Sequence, residues 1–176
     1  MRIISGKYRG KKIHPPKNLK VRPITDLAKE SLFNILINEY EFQGLDVLDL
    51  FAGTGSITYE FASRGVRSVV AVEKAPAHFK FIQRMCNELE MDHVNVIRSD
   101  VFRYLKNPYQ SFDIIFADPP YEHLLLETLP DLVFSTEILL KSGWFILEHP
   151  SSQTFTAHAR FLRHRKYGSV NFSFFR

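Results

Sequence analysis

The feature that most constrains this chain is a series of five short apolar runs, separated by longer segments of helical character. The runs are rich in β-branched and aromatic residues, as buried parallel strands are. They span residues 45–51, 68–73, 95–100, 111–118 and 143–149. The three helical segments between them span residues 56–65, 76–90 and 124–141. Because strand and helix alternate, the sequence predicts an open, doubly wound α/β sheet with mostly parallel strands.

Segments at both ends of the chain extend this pattern. Residues 2–13 have the glycine-punctuated pattern of a short β-hairpin. Residues 25–40 have the periodicity of an amphipathic helix, with Thr25 as its N-cap. Residues 160–175, near the C-terminus, predict an antiparallel hairpin that turns at Gly168 and Ser169.

Basic residues are concentrated at the two ends of the chain. Residues 1–22 carry eight Lys or Arg and no acid, and residues 151–176 carry five and no acid, so the rest holds ten bases against nineteen acids. Basic ends are often only solvated tails. Here the bases alternate with apolar residues, as on structured surfaces that contact the phosphates of a polyanion. With 176 residues for one substantial core, we expect a basic RNA-contacting extension over 1–24 and one domain over 25–176.

Composition excludes several classes of protein. No stretch approaches the roughly 18 consecutive apolar residues of a membrane-spanning helix, and the N-terminus has no secretory signal pattern. The single cysteine, Cys86, cannot form an internal disulfide and is predicted to be a packed thiol. The seven histidines lack the spacing of metal ligands. We therefore expect a soluble, cytoplasmic protein without a metal.

The loop after the first strand combines an acid with two glycines. Gly53 and Gly55 let the backbone approach a ligand closely between strand and helix. Thr58 stands where a dinucleotide fingerprint requires a third glycine, and Asp49 would repel a pyrophosphate at the helix N-terminus. An acid there suits a ligand that carries an ammonium and a sulfonium group. This pattern disfavours a nicotinamide-dependent oxidoreductase.

Two further strands end on acids. Glu73 lies twenty residues after Gly53 and is placed to accept hydrogen bonds from both hydroxyls of a ribose. Asp100 is placed to accept from an adenine amino group, while the N–H of Val101 donates to the ring. Ligands of such sheets bind beyond the carboxyl ends of the strands, so the three carboxylates together outline S-adenosylmethionine. The alternative for each acid taken singly is a carboxylate that merely faces water.

The fourth strand runs into an acid, two prolines and an aromatic ring. The carboxylate of Asp118 and the carbonyl of Pro119 can each accept one N–H of an exocyclic amine and so orient its nitrogen for methylation. Pro119 and Pro120 fix φ and bring no competing N–H. Tyr121 would stack on the base. The alternative is a strand that simply ends in a proline turn.

These motifs resemble those of Rossmann-like S-adenosylmethionine-dependent methyltransferases, and the acid-proline-proline-tyrosine motif resembles that of enzymes acting on exocyclic amines. The start of the chain is similar to the RsmD family, which methylates the N2 amine of a guanine in small-subunit ribosomal RNA. The resemblance covers nearly the whole chain. It rests on residues 2–13, 22–36, 49–55, Glu73, 99–102, 118–121 and 167–175.

The resemblance implies a role for each motif. Asp118 and Pro119 would hold the guanine amine, and Pro120 and Tyr121 would complete the catalytic motif. The implied cofactor-binding residues are Asp49, Phe51, Gly53, Gly55, Glu73, Asp100 and Val101. The charge pattern and the resemblance together give the RNA-binding residues as Arg2, Lys7, Arg9, Lys11, Lys12, Arg22 and Thr25. The implied protein is a monomer that acts on ribosomal RNA, in the small subunit or in its assembly intermediate.

The sequence departs from the family pattern at three positions. Leu27 and Lys29 stand where arginines are usual, and Thr58 stands where glycine is frequent, which puts RNA contacts and local helix packing there in question. Two other functions stay open. One is an amino-methyltransferase acting on adenine N6 in DNA or RNA, or on a protein glutamine; the other is a non-catalytic RNA-binding assembly factor that keeps the fold.

Overall fold

A seven-stranded sheet forms the centre of the computed structural model, which describes residues 1–17, 19, 24–120 and 125–176. The strands are β1 (Asp46–Leu50), β2 (Ser68–Glu73), β3 (Val94–Arg98), β4 (Phe112–Ala117), β5 (Leu139–His149), β6 (Phe161–Tyr167) and β7 (Val170–Phe175). Their order is β3-β2-β1-β4-β5-β7-β6. The first five strands are parallel, and β7 is antiparallel to both β5 and β6. The predicted mixed α/β sheet with a C-terminal antiparallel hairpin is confirmed.

Helices cover both faces of the sheet. They are α1 (Asp26–Leu36), α2 (Ser56–Ser63), α3 (Pro76–Glu88), α4 (Val101–Leu105) and α5 (Leu129–Phe134). Because successive strand residues point to opposite faces, Val47 joins the buried cluster made with α1, α2 and α3, whereas Leu48 joins the cluster made with α4 and α5. The sheet is therefore doubly wound. No helix in the described part of the chain combines the length and apolarity that crossing a bilayer needs.

The segment between β4 and β5 differs from the prediction. A helix was expected over residues 124–141, but the described part contains only the six residues of α5. Pro130 lies in the first turn of α5, where its missing N–H costs no hydrogen bond. Leu139 already pairs with Phe112, so the end of the predicted helix is the start of β5.

The N-terminal hairpin also differs from the prediction. Its pairing contains one β-bridge, between Arg2 and Lys12, rather than two regular strands. The N–H groups of Ile4 and Ser5 donate to the carboxylate of Glu60 on α2, at 2.8 and 3.1 Å, rather than across the hairpin. We call residues 1–13 the N-terminal arm.

The N-terminal arm is fixed to the rest of the protein by apolar and polar contacts. Ile3 and Ile13 are buried in the same cluster as α1 and α2. Gly6 adopts φ 82, and a Cβ there would lie 1.8 Å from the carbonyl oxygen of Ser63. The N–H of Lys7 donates to that carbonyl at 2.8 Å. The arm is thus part of the folded structure, which holds its exposed bases in fixed positions.

Candidate functional site

A cleft of about 830 Å³ opens at the carboxyl ends of the parallel strands. It lies where β1 and β4 are neighbours and the strand order reverses, the usual ligand position in such sheets. Its size is typical of sites for small molecules and cofactors. The sequence-predicted residues that line it are Thr25, Asp49, Phe51, Gly53, Glu73, Asp100, Val101, Asp118, Pro119 and Pro120.

The loop between β1 and α2 bends sharply along the cleft. Phe51, Gly53 and Gly55 all have positive φ, at 60°, 57° and 84°. This backbone region is unfavourable for a residue such as Phe51, so the loop holds it there through its other contacts. Gly55 is the N-cap of α2, and a Cβ on it would lie 2.5 Å from the ring of Tyr59. The glycine at 55 is therefore required by the turn and by packing against Tyr59.

Asp49 lines the cleft and is 2% exposed. Burial raises the pKa of its carboxyl to about 7; hydrogen bonds from Thr58 oppose the rise, and the neighbouring charge of Glu73 adds to it. The hydroxyl of Thr58 donates to Asp49 Oδ2 at 2.5 Å. The family departure at position 58 thus has a structural role, because glycine has no hydroxyl to donate.

Glu73 also lines the cleft, and backbone N–H groups orient both oxygens of its carboxylate. Its Oε2 accepts from the N–H of Gly53 at 2.8 Å, and its Oε1 accepts from the N–H of Ala75 at 2.7 Å. His78 Nδ1 lies 3.9 Å from Oε1. Each carboxylate oxygen has a second lone pair, so Glu73 can accept two further hydrogen bonds from a ligand.

Asp100 caps α4 and faces the cleft. Its Oδ1 accepts from the N–H groups of Phe102 and Arg103, at 3.1 and 3.2 Å, and its Oδ2 accepts from Lys74 Nζ at 3.1 Å. Partial burial opposes ionisation, but the bonds from Lys74 and from the two backbone N–H groups outweigh it and lower the pKa of Asp100. Lys74 itself lines the cleft. It was not predicted from the sequence.

Asp118 follows β4 at the centre of the cleft. Ala117, the last residue of β4, is in register with Leu50 of β1 and Leu147 of β5, so Asp118 emerges between the ends of these two strands. Asp118 is half-buried, Pro119 is buried and Pro120 is exposed. The backbone of this motif therefore passes from the core into the open cleft.

Sequence reasoning missed Glu148, which lines the cleft and is 3% exposed. The signal was available in the sequence, because Glu148 is another acid near a strand end.

His149, the next residue, has hydrogen-bond partners at both ring nitrogens. Its Nδ1 bonds the Pro150 carbonyl at 2.9 Å, and its Nε2 bonds Ser173 Oγ at 2.8 Å. Burial also lowers the pKa of His149. A neutral imidazole that donates to one partner and accepts from the other fits this position.

The predicted RNA-binding bases lie on the N-terminal arm with their side chains exposed: Arg2, Lys7, Arg9, Lys11 and Lys12. Arg2 also pairs with Asp26 at 3.3 Å. Thr25 lines the cleft and caps α1 by accepting from the N–H of Ala28 at 3.2 Å. Tyr121 and Arg22 fall outside the described residues.

The two departures on α1 have opposite environments. Leu27 is exposed, whereas Lys29 is 1% exposed. The ammonium of Lys29 donates to the carbonyl of Arg2 at 2.6 Å and to Ser56 Oγ at 3.3 Å, and it lies 3.6 Å from Glu60. Lys29 is therefore a buried link between the arm and α2 rather than an RNA contact.

Other reactive groups are inert or scattered. Cys86 is buried, and burial raises the pKa of its thiol to about 12, so it is a packed thiol as predicted. Within the described ranges, no three His, Cys, Asp or Glu side chains are grouped so as to hold a metal ion.

Comparison with known proteins gives consistent matches. The family model described as conserved hypothetical protein 95 matches residues 1–176. A ribosomal RNA small subunit methyltransferase D from Buchnera aphidicola subsp. Baizongia pistaciae is 33% identical over 144 residues, which cover 82% of this chain and 70% of the relative.

Two solved structures share the fold. The putative methyltransferase yhhF from Escherichia coli superposes with a TM-score of 0.86 at 27% identity, covering 99% of this chain and 96% of that one. A T. thermophilus 16S rRNA N2 methyltransferase (RsmC), in complex with AdoMet and guanosine, has a TM-score of 0.72 at 25% identity, over 89% of this chain and 43% of that one. With a family match over its full length, this chain belongs to the conserved hypothetical protein 95 family, the RsmD family that its sequence motifs resemble.

Proposed function

We propose that this protein transfers the methyl group of S-adenosylmethionine to the N2 amine of a guanine in small-subunit ribosomal RNA. The observation that carries the proposal is the meeting of Asp49, Glu73, Asp100 and Asp118 in one cleft. Asp49, Glu73 and Asp100 fit a ligand with two cationic groups, a ribose and an adenine better than they fit a phosphate-bearing cofactor, and Asp118 remains to face the acceptor amine. Family membership supplies the substrate class.

The cofactor roles follow from the hydrogen-bonding capacity that the cleft leaves open. Asp49 faces the cationic methionine end, where its ionised form attracts the ammonium and the sulfonium. Glu73 accepts from the ribose hydroxyls with the lone pairs that Gly53 and Ala75 do not use. Asp100 accepts from the adenine amino group, and this bond competes with Lys74 for Oδ2.

The acceptor amine is oriented by the motif that follows β4. S-Adenosylmethionine supplies an electrophilic methyl group on sulfur. The exocyclic nitrogen is a weak nucleophile, because its lone pair is delocalised into the base. Asp118 and the carbonyl of Pro119 each accept one N–H, which directs the lone pair at the methyl carbon as the nitrogen becomes tetrahedral. As the N–C bond forms, the S–CH3 bond would break and leave the neutral thioether S-adenosylhomocysteine. The carboxylate of Asp118 would stabilise the positive charge on the nitrogen, which would then lose one proton to water.

The RNA must present its guanine unpaired, since the N2 amine is otherwise engaged in pairing. We propose that Tyr121 stacks on the flipped base and that residues 1–24, including Arg22, contact the RNA backbone. Thr25 borders the cleft next to this extension. We propose that the protein acts as a monomer, in the cytoplasm where ribosomal RNA is found.

The elevated pKa of Asp49 predicts pH-dependent cofactor binding. Below about pH 7 the carboxyl is mostly neutral and attracts cations weakly; above it the carboxylate binds them. If only the ionised form binds, the dissociation constant for S-adenosylmethionine is about tenfold higher at about pH 6 than at about pH 8. Calorimetric titration at several pH values checks this. In Asp49→Asn the pH dependence should be lost; a wild-type affinity that stays flat would contradict the role of Asp49.

Exposed charges on the N-terminal arm predict salt-dependent RNA binding. Replacing Lys11 and Lys12 with glutamine removes two phosphate contacts, so RNA affinity should fall and its logarithmic dependence on salt should become shallower by about 1–2. Fluorescence anisotropy with ribosomal RNA fragments measures both. Affinity for S-adenosylmethionine should not change, since neither lysine lines the cleft. Unchanged RNA affinity at low salt would remove the arm from the interface.

The chemical identity of the product tests the function itself. The purified protein is incubated with methyl-labelled S-adenosylmethionine and one candidate substrate at a time. The substrates are small-subunit ribosomal RNA, assembled subunits, DNA and a glutamine-containing peptide. Mass analysis of nucleosides and peptides should find label in N2-methylguanosine from the RNA samples. Label in N6-methyladenosine or in the peptide would favour another amino-methyltransferase. Cofactor binding without transfer to any substrate would favour an assembly factor.

A further inference from the structure

The β6–β7 hairpin brings a second basic surface to the rim of the cleft. β7 pairs with β5, and β6 is the outer edge strand beyond it. Glu148 of β5 is in register with Phe172 of β7, which is in register with Arg165 of β6. Two strand spacings place the backbone of Arg165 about 10 Å from that of Glu148. By the same register His149 aligns through Asn171 with Lys166, so both bases lie at the cleft end of the hairpin.

The turn of the hairpin reaches the cleft directly. Ser169 and Val170 are among the lining residues. Gly168 permits this turn with φ 62. Arg165 and Lys166 therefore lie close to a turn that lines the cleft in which the target base would bind.

The bases of this hairpin have different environments. Arg163 pairs with Glu39 at 3.1 Å, and its guanidinium lies 4.6 Å from the ring centroid of Trp144. It holds the hairpin against the core. Arg165 and Lys166 are exposed, and residues 151–176 contain no acid. Adjacent strand residues point to opposite faces, but β6 is the edge strand, so an RNA backbone that follows this edge can contact one base from each face.

We infer that Arg165, Lys166 and the turn at Gly168–Ser169 form a second RNA-contacting surface, which holds the RNA strand on the side of the cleft formed by β7. This inference rests on the proposed function. The chemistry that recognises the partner is a phosphodiester backbone, since two exposed cations without a neighbouring acid in sequence attract polyanions. Together with the N-terminal arm, this surface would contact the RNA backbone at two separate places beside the target base.

The hairpin offers its own matched control. Phe161 pairs with Phe175 at the far end, so Arg160 and Arg176 flank that end, away from the cleft. The test variant is Arg165→Gln with Lys166→Gln, and the control is Arg160→Gln with Arg176→Gln. Both variants lose two positive charges from exposed positions, the test variant within β6 and the control directly beside the ends of β6 and β7. They differ in distance from the cleft.

The measurement is binding of a fluorescently labelled, single-stranded fragment of small-subunit ribosomal RNA at several salt concentrations. The test variant should bind about five- to tenfold more weakly at low salt and show a salt dependence shallower by about 1–2, while the control changes less than about twofold. Both should keep the wild-type affinity for S-adenosylmethionine, which shows that the cleft is intact.

The other outcomes separate this inference from the proposed function. If the unaltered protein does not bind RNA, the proposed function fails, and this inference fails with it. If the unaltered protein binds and the test variant binds equally well, the inference alone is overturned. Equal weakening of test and control would also overturn it, because net charge would then explain the effect without a surface at the cleft.

Discussion

Replacing Asp118 with alanine is expected to lower the rate of methyl transfer about 10²–10³-fold, while the dissociation constant for S-adenosylmethionine stays unchanged. The carboxylate emerges between the ends of β1 and β5 and lines the cleft. In the proposed mechanism this carboxylate is the anion that stabilises the positive charge developing on the nitrogen, and alanine removes it. Single-turnover kinetics with saturating cofactor and RNA measure the chemical step, and calorimetry measures cofactor binding.

Two further variants define what Asp118 contributes. Asp118→Asn keeps an oxygen that accepts one N–H but loses the charge, so its rate should fall between the wild type and Asp118→Ala. Pro120→Ala keeps every carbonyl and should have a smaller effect, because the proline restricts φ and lacks an N–H but accepts no hydrogen bond from the amine in the proposed mechanism. Wild-type turnover in Asp118→Ala would refute the catalytic assignment. Lost cofactor affinity in that variant would move Asp118 to cofactor binding.

Replacing Glu60 with alanine is expected to lower the free energy of unfolding by about 3–5 kcal/mol, the usual cost of removing one partner of a buried ion pair. Glu60 is fully buried and accepts from the N–H of Ile4 and from Arg64 Nε, both at 2.8 Å. Its removal also leaves the ammonium of Lys29 buried without its carboxylate. Urea unfolding followed by circular dichroism measures the change.

A second glutamate on a helix provides the control. Glu88 also pairs with an arginine four residues away, Arg84 at 3.5 Å, but both side chains are more than half exposed. Glu88→Ala should therefore cost less than about 1 kcal/mol. Limited proteolysis of Glu60→Ala should also cut first within residues 1–13. Equal, small decreases in the free energy of unfolding of both variants would show that Glu60 does not hold the N-terminal arm.

The fold was predictable because its main elements are long and strongly patterned. The strand bounds predicted for β2 are those observed, and the bounds predicted for β1 and β4 each differ from the observed ones by one residue at both ends. What the pattern could not give depends on contacts distant in sequence. α4 has only five residues and begins because Asp100 accepts from two N–H groups that follow it. In the N-terminal arm, two N–H groups donate to Glu60, which lies far along the chain, rather than across a hairpin.

The part of the candidate site that was predictable is the group of acids that directly follow or end the parallel strands. Parallel strands end at one edge, so Asp49, Glu73 and Asp118 had to meet. The role of Lys29 was not predictable, because its burial depends on Arg2 of the N-terminal arm and on Ser56 and Glu60 of α2, two segments distant from it in sequence. The same holds for the pairing of Lys74 with Asp100, since both are surface-type residues whose contact forms only when β2 and β3 lie side by side.

A crystal structure of the protein with S-adenosylmethionine tests the central claim most directly. We expect the methionine end beside Asp49, the ribose hydroxyls on Glu73 and the adenine between Asp100 and the N–H of Val101. The methyl group should then face the carboxylate of Asp118. A cofactor bound outside this cleft, or a methyl group directed away from Asp118, would contradict it.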